Sequence, residues 1–334
     1  MCMWPTRWKA GVWLALVSVC FGGFVVAAWN RERNETSVVA LIQERGGSVE
    51  RVGWFDPRVW HWRGVLEVDL SGTRADARVL GSLRGLVALR RLNLTGTSIQ
   101  NQELAELARC SGLKKIRLDR TDITDDGLRH LAGMTWLESL WLVDTPITDR
   151  GVECLSRLTR LRDLDLSGTG VTDSGLVSLL SMRRLVDLEL NNTAITDDGL
   201  VHLSELGQLK DLDINATSVS DRGLRHVSQL KRLEEIELSG TRVTDDGLVH
   251  LKRLDRLDEI ECSNTTVGDA GLAHLAEIQT LEFLRIDNTS VTDKGLVHLV
   301  RLRKLEYLDV RDTRTTSGGV DRLKQAQHTL KVRR

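Results

Sequence analysis

Ten carboxylates recur in pairs at a fixed interval of 24 residues: Asp163/Asp165, Asp187/Glu189, Asp211/Asp213, Glu235/Glu237 and Glu259/Glu261. Each pair brackets one Leu or Ile. Carboxylates lined up in this way attract cations: a basic protein segment, a polyamine-like or amino-sugar polymer, or divalent cations. Ser167, Asn191, Asn215, Ser239 and Ser263 form a small polar column beside them. Before the block come Arg91, Lys115 and Arg117, then Trp141 with Val143; after it come Phe283, Arg285, Tyr307 and Arg311. Trp141, Phe283 and Tyr307 are residue types that serve as binding anchors on a rigid face.

Two other columns have types that could bind metal. Asp125, Asp149, Asp173, Asp197, Asp221, Asp245, Asp269 and Asp293 share the same interval, each with a Gly two residues on. They read as helix caps that also interact with the helix dipole. His130, His202, His226, His250, His274 and His298 form the other column. A zinc ion needs several ligands within about 2 Å, whereas neighbouring helices lie about 10 Å apart. These histidines therefore read as packed or capping side chains. The sequence has no carboxylate–His–nucleophile set, phosphate-cradling Gly loop or H-E-x-x-H. Cys2, Cys20, Cys110, Cys154 and Cys262 show no paired spacing. The reading is a chain that is not an enzyme and holds no cofactor or metal.

The interval itself sets the elements that position these residues. Thr73, Thr97, Thr121, Thr145, Thr169, Thr193, Thr217, Thr241, Thr265, Thr289 and Thr313 keep it unbroken, which marks a stack of supersecondary units. In the unit LVDLELNNTAITDDGLVHLSELGQ (residues 185–208), Leu188 and Leu190 alternate with acids as a short strand with one face inward. Thr193 and Ile195 turn the chain, and Thr196-Asp197 opens a helix whose inward stripe is Leu200, Leu203 and Leu206. Seven buried apolar side chains contribute roughly 10–20 kcal/mol gross. Ordering 24 residues costs at least about 1 kcal/mol each, so one unit cannot fold without its neighbours. The buried Thr hydroxyl is expected to satisfy backbone groups in the turn.

Leu185, Leu188, Leu190, Thr193 and Ile195 follow L-x-x-L-x-L-x-x-N/C-x-L, with Thr in the Asn/Cys slot. The unit thus resembles the leucine-rich repeat family. The continuation Ile195–Leu203 looks like bacterial repeats related to the cysteine-containing class, which also occurs in F-box proteins. The resemblance covers about residues 65–332. It implies an α/β fold: a right-handed solenoid of about eleven 24-residue repeats, with a concave parallel sheet and convex helices. It also implies a protein-binding role. No F-box-like segment precedes the repeats, which disfavours a substrate-recognition adaptor role.

Residues 10–29 carry no charge and as a helix would span roughly 30 Å, the thickness of a bilayer core. Arg7 and Lys9 on one side, against Arg31 and Arg33 diluted by Glu32 and Glu35 on the other, favour a cytoplasmic N-terminus. The expected organisation is residues 1–9 in the cytoplasm, 10–29 as a transmembrane anchor or long signal peptide, 30–64 as linker and N-terminal cap, and 65–334 as the solenoid with its C-terminal cap. The repeats would lie outside the cytoplasm, anchored, or secreted after cleavage. The aromatic cluster Trp54, Phe55, Trp60 and Trp62 reads as part of the cap, with an exposed aromatic binding cluster as the alternative.

Net charge is −1, which argues against a nucleic-acid partner. Adjacent strands about 4.8 Å apart bring like charges side by side, each pair repelling by roughly 0.8 kcal/mol in water. Mixed charges would solubilise the sheet without that repulsion. The reading is therefore a membrane-tethered binding protein whose acidic concave face takes a protein or other cationic ligand. The alternative is an envelope scaffold in which the basic end of one copy meets the acidic block of the next; the oligomeric state is left open.

Overall fold

The computed structural model describes residues 33–51 and 64–334. Among these residues thirteen strands form one sheet in chain order. Ser48–Arg51 pairs antiparallel with Val65–Asp69; every later pairing is parallel, down to Lys331–Arg333. Helices cross between the parallel strands, as in any βαβ connection. The acidic strands are Asp163–Asp165, Asp187–Glu189, Asp211–Asp213, Glu235–Glu237 and Glu259–Glu261. Each is three residues long and pairs with its neighbour without a register shift. The fold is the leucine-rich-repeat solenoid that the resemblance implies.

Each three-residue strand from Arg91–Asn93 to Tyr307–Asp309 turns its central Leu or Ile into one continuous core. Leu185, Leu188, Leu190, Ile195, Leu200, Leu203 and Leu206, the seven apolar positions of the unit read above, are all buried. Past each strand the chain makes a tight turn. All eleven Thr hydroxyls of the 24-residue column donate to the carbonyl three residues earlier, at 2.6–2.7 Å. The residue just before each Thr is left-handed, with φ between 52° and 69°. Gly, Asn and Asp occupy most of these sites, as sterics dictate. Arg120 and Ala216 do not suit it.

The Asp column works differently from a local cap. Thr124, Thr148, Thr172, Thr196, Ser220, Thr244, Gly268 and Thr292 are the N-caps, and Asp follows as the first helical residue. The Asp carboxylate reaches the next repeat. Asp197 Oδ1 accepts from Ser220 N at 2.7 Å and from Gly223 N at 3.0 Å, and its Oδ2 accepts from Ser220 Oγ at 2.6 Å. Asp149, Asp173 and Asp269 hold Thr172, Thr196 and Thr292 in the same way. The carboxylate thus satisfies backbone donors that a helix start leaves free. It also explains the Gly column. A Cβ on Gly223 would stand 2.6 Å from Asp197 Oδ1 and 2.9 Å from Leu200 Cδ1.

Both ends are covered. Helix 33–44 lays Val38, Val39 and Ile42 on the first repeat. At the other end, Ser317–Ala326 is followed by the buried Gln327, whose Nε2 donates to Leu299 O and Leu302 O at 2.9 and 2.8 Å. Residues 10–29, expected to enter a membrane, and the aromatic cluster around Pro57 lie outside the described residues. Among those described, no helix is long and apolar enough to cross a membrane.

Three stability measurements check these contacts. Ala216→Gly relieves a left-handed Ala and is expected to stabilise by about 1 kcal/mol, raising the urea midpoint. Asp197→Ala strands buried donors and is expected to cost about 1–3 kcal/mol. Gly223→Ala should cost less in the Asp197→Ala background than alone, because one of its two clashes has gone; strictly additive losses in the double-mutant cycle contradict the contact.

Candidate binding face

In-register pairing turns the two acidic positions of each strand into two columns on the concave face. Asp163, Asp187, Asp211, Glu235 and Glu259 adjoin in one; Asp165, Glu189, Asp213, Glu237 and Glu261 adjoin in the other. These ten are not free surface groups. Asp165 and Glu261 are buried and the remaining eight are half-buried.

At each end of the block one of the two carboxylates has a cation. Asp163 accepts from Ser139 Oγ at 2.5 Å and has Lys115 Nζ at 3.8 Å. Glu261 pairs with Arg285 at 2.6 Å. Between them, among the described residues, Asp187, Glu189, Asp211, Asp213, Glu235 and Glu237 form no ion pair within 4.0 Å. These six line one cleft of about 230 Å³ over three adjoining strands.

The neighbouring polar column braces this cleft, a role that its small residues did not announce. Asn191 Oδ1 accepts from Asn215 N at 2.9 Å, Asn215 Oδ1 from Ser239 N at 2.5 Å, and Ser239 Oγ from Ser263 N at 3.1 Å. The amide nitrogens of Asn191 and Asn215 turn the other way and donate to Asp213 and Glu237. A ladder of neutral amides therefore holds one acidic column in place.

Burial is the largest cause that raises Asp187, Glu189, Asp211, Asp213 and Glu235. Asp187 is pushed up to about 6 by burial and by Asp211 and Asp163. Glu189 is pushed up to about 8 by burial and by Asp165 and Asp187. Glu235 rises to about 7 through burial and Glu259. Asp213 also rises to about 7, with burial outweighing the hydrogen bonds from Asn191 and Asn215.

The aromatics are half-buried and partnered rather than standing free. Trp141 carries the Arg117 guanidinium 4.8 Å and Lys115 Nζ 5.9 Å from its ring centre. Phe283 and Tyr307 stack with centroids 4.5 Å apart and planes 7° from parallel, and Arg285 lies 5.5 Å from the Phe283 ring. They close the two ends of the acidic block as cation–π groups. Beyond Tyr307, the fully buried Asp309 was missed by the sequence reading. Burial raises its carboxyl, but hydrogen bonds from Arg311, the shortest at 2.7 Å, bring it below the usual range. Among the described residues, no three His, Cys, Asp or Glu side chains are grouped to hold a metal ion. The histidines on the helices stay apart; His250 accepts from Arg225 Nε at 3.4 Å.

Residues 133–156 and 158–180 match the family model described as a leucine rich repeat. Among solved structures, an internalin from Listeria monocytogenes is similar with a TM-score of 0.60 at 18% identity, over 80% of this chain and 86% of that one. A leucine-rich-repeat protein from Leptospira interrogans gives 0.57 at 16%, over 75% of this chain and 62% of that one. A TDR receptor gives 0.55 at 14%, over 80% and 46%. At these identities the likeness is one of fold. No curated protein matches the sequence.

The raised carboxyls fix a pH dependence. Their folded values, about 6 to about 8, stand above the ordinary 3.8 for Asp and 4.5 for Glu. Between those limits the folded chain binds more protons than the unfolded one, so stability falls as pH rises. The urea midpoint is expected to decline from pH 4 to pH 8. Asp187→Asn with Glu235→Gln should flatten the decline and raise the midpoint at pH 8; an unchanged slope contradicts the assignment.

Proposed function

We propose that this leucine-rich-repeat solenoid is a non-catalytic binding module that takes a basic protein segment in its acidic concave cleft. One observation carries the reading: six carboxylates without an ion pair line a single cleft, whereas at each end of the block one carboxylate, Asp163 or Glu261, has a cation of its own. Unpaired, half-buried like charges are unfavourable in the free protein. A Lys or Arg side chain entering the cleft would supply the missing counter-charge and displace protons from the raised carboxyls. Lys and Arg also fit a site with no grouping of ligands for a metal ion. The stacked Phe283–Tyr307 pair and the Trp141–Arg117 pair would flank the bound segment.

We also place the module at a membrane, tethered through residues 10–29, with the repeats on the far side from residues 1–9. The support is the uncharged run and its basic flank. A head-to-tail scaffold finds less support, because the basic residues at the N-terminal end are occupied: Arg91 bonds Glu67 and Glu50, and Arg117 lies on Trp141.

Binding of a Lys/Arg-rich peptide to the full chain tests the cleft. Raising the salt from about 0.05 to 0.3 M is expected to weaken binding roughly tenfold. Charge reversal at Asp187, Asp211 and Glu235 should weaken it by about 100-fold or more. Affinity indifferent to both removes the proposal.

A further inference from the structure

The net charge of −1 conceals a separation across the solenoid. The loops that lead from each helix to the next strand all lie on one edge. Across the ten loops 84–90, 108–114, 132–138, 156–162, 180–186, 204–210, 228–234, 252–258, 276–282 and 300–306, eighteen Lys and Arg stand against eight Asp and Glu, an excess of ten positive charges. One column holds exposed Arg160, Arg184, Arg232, Arg256 and Lys304. Six strand spacings separate its ends, roughly 30 Å. Among the described residues, Arg160, Arg184 and Arg256 form no ion pair within 4.0 Å. The opposite edge carries the Asp column.

The described chain enters at this same basic edge. Glu35 Oε1 accepts from Val65 N at 3.2 Å, at the start of the first parallel strand. Asn34 Nδ2 lies 2.5 Å from where a Cβ on Gly85 would be, in the first of these loops. Helix 33–44 then runs across the end of the solenoid to the other edge, where Arg45 pairs with Asp76 at 2.8 Å. Asp76 caps the first helix of the stack, Ala77–Ser82. Any membrane segment in residues 10–29 is therefore joined to the body at its cationic side.

We propose that this basic edge faces the membrane and lies against anionic lipid headgroups, so that the concave cleft opens sideways, parallel to the bilayer. The proposal rests on the tether proposed above. Attraction between exposed cations and an anionic surface falls off within a Debye length of about 8–10 Å. A row of cations along the anchored edge brings many charges inside that range at once. The Asp edge, by the same field, is turned away.

The test reconstitutes the full chain into vesicles and measures energy transfer to a headgroup-labelled lipid. The fluorophore sits on the basic edge at Thr159→Cys or on the opposite edge at Ala194→Cys, with Cys2, Cys20 and Cys154 replaced by Ser. With roughly 30% phosphatidylglycerol at low salt, transfer from the basic edge is expected to exceed that from the opposite edge at least about twofold. The excess should vanish in pure phosphatidylcholine, in about 0.5 M salt, and in the folded variant Arg160→Glu/Arg184→Glu/Arg256→Glu. Equal transfer from both edges, or an excess indifferent to lipid charge, overturns the proposal. Release of the chain from vesicles by alkaline carbonate defeats the tether alone. The edge is then judged by sedimentation: the wild-type chain should still pellet with anionic vesicles and the triple variant should not, and a wild-type chain that pellets with neither kind overturns it. A triple variant that loses heparin binding but keeps its lipid transfer assigns the edge to an anionic polymer and also overturns it.

Discussion

The contact on which this molecule depends is a carboxylate that does not serve its own helix. Asp197 and its equivalents stand at the first helical position and bind the backbone and hydroxyl of the next repeat's cap. A single repeat falls short of the free energy needed to order itself, so folding is decided between repeats. The apolar core supplies most of that coupling without specifying angle or register. The Asp clamp supplies direction: it sets where each helix begins relative to the one before. The Gly of the next helix leaves room for it, and the left-handed turn before each Thr returns the chain to the same place.

The acidic face follows from that rigidity. Strands locked without register shifts put each acid beside the same acid of the next repeat. A looser array could relieve the repulsion by slipping; here burial first, with like charges adding to it, raises Asp187, Glu189, Asp213 and Glu235. The Asn191–Asn215 ladder helps to keep the carboxylates from turning aside. The scaffold and the site are therefore one design seen from two sides of the same strands.

Much of this was legible in the letters. The strand, turn and helix of the 24-residue unit, its seven buried positions and the facing acidic columns follow from alternation and threefold spacing. What escaped had no local signal. The partner of Asp197 lies 23 residues away, so the column looked like ordinary capping. The left-handed site is filled by Gly, Asn, Asp, Arg or Ala, and no single letter marks it. The aromatics read as free anchors because pattern gives a face, not the neighbour on it: Tyr307 meets Phe283 across a strand pair. The basic edge was hidden by a near-zero total charge and by loops in which cations occupy several positions.

One clamp in the series is incomplete. Gly268 stands where the other caps have a hydroxyl, so Asp245 keeps the bond to Gly268 N and has no side-chain oxygen to hold. The helix before it, Asp245–Leu248, has four residues and gives way to a 3₁₀ turn at Leu251–Arg253. This junction lies between the Glu235–Glu237 and Glu259–Glu261 strands. Of the junctions held by an Asp of this column, this one is therefore tied by the fewest bonds, and it lies under the C-terminal side of the acidic face.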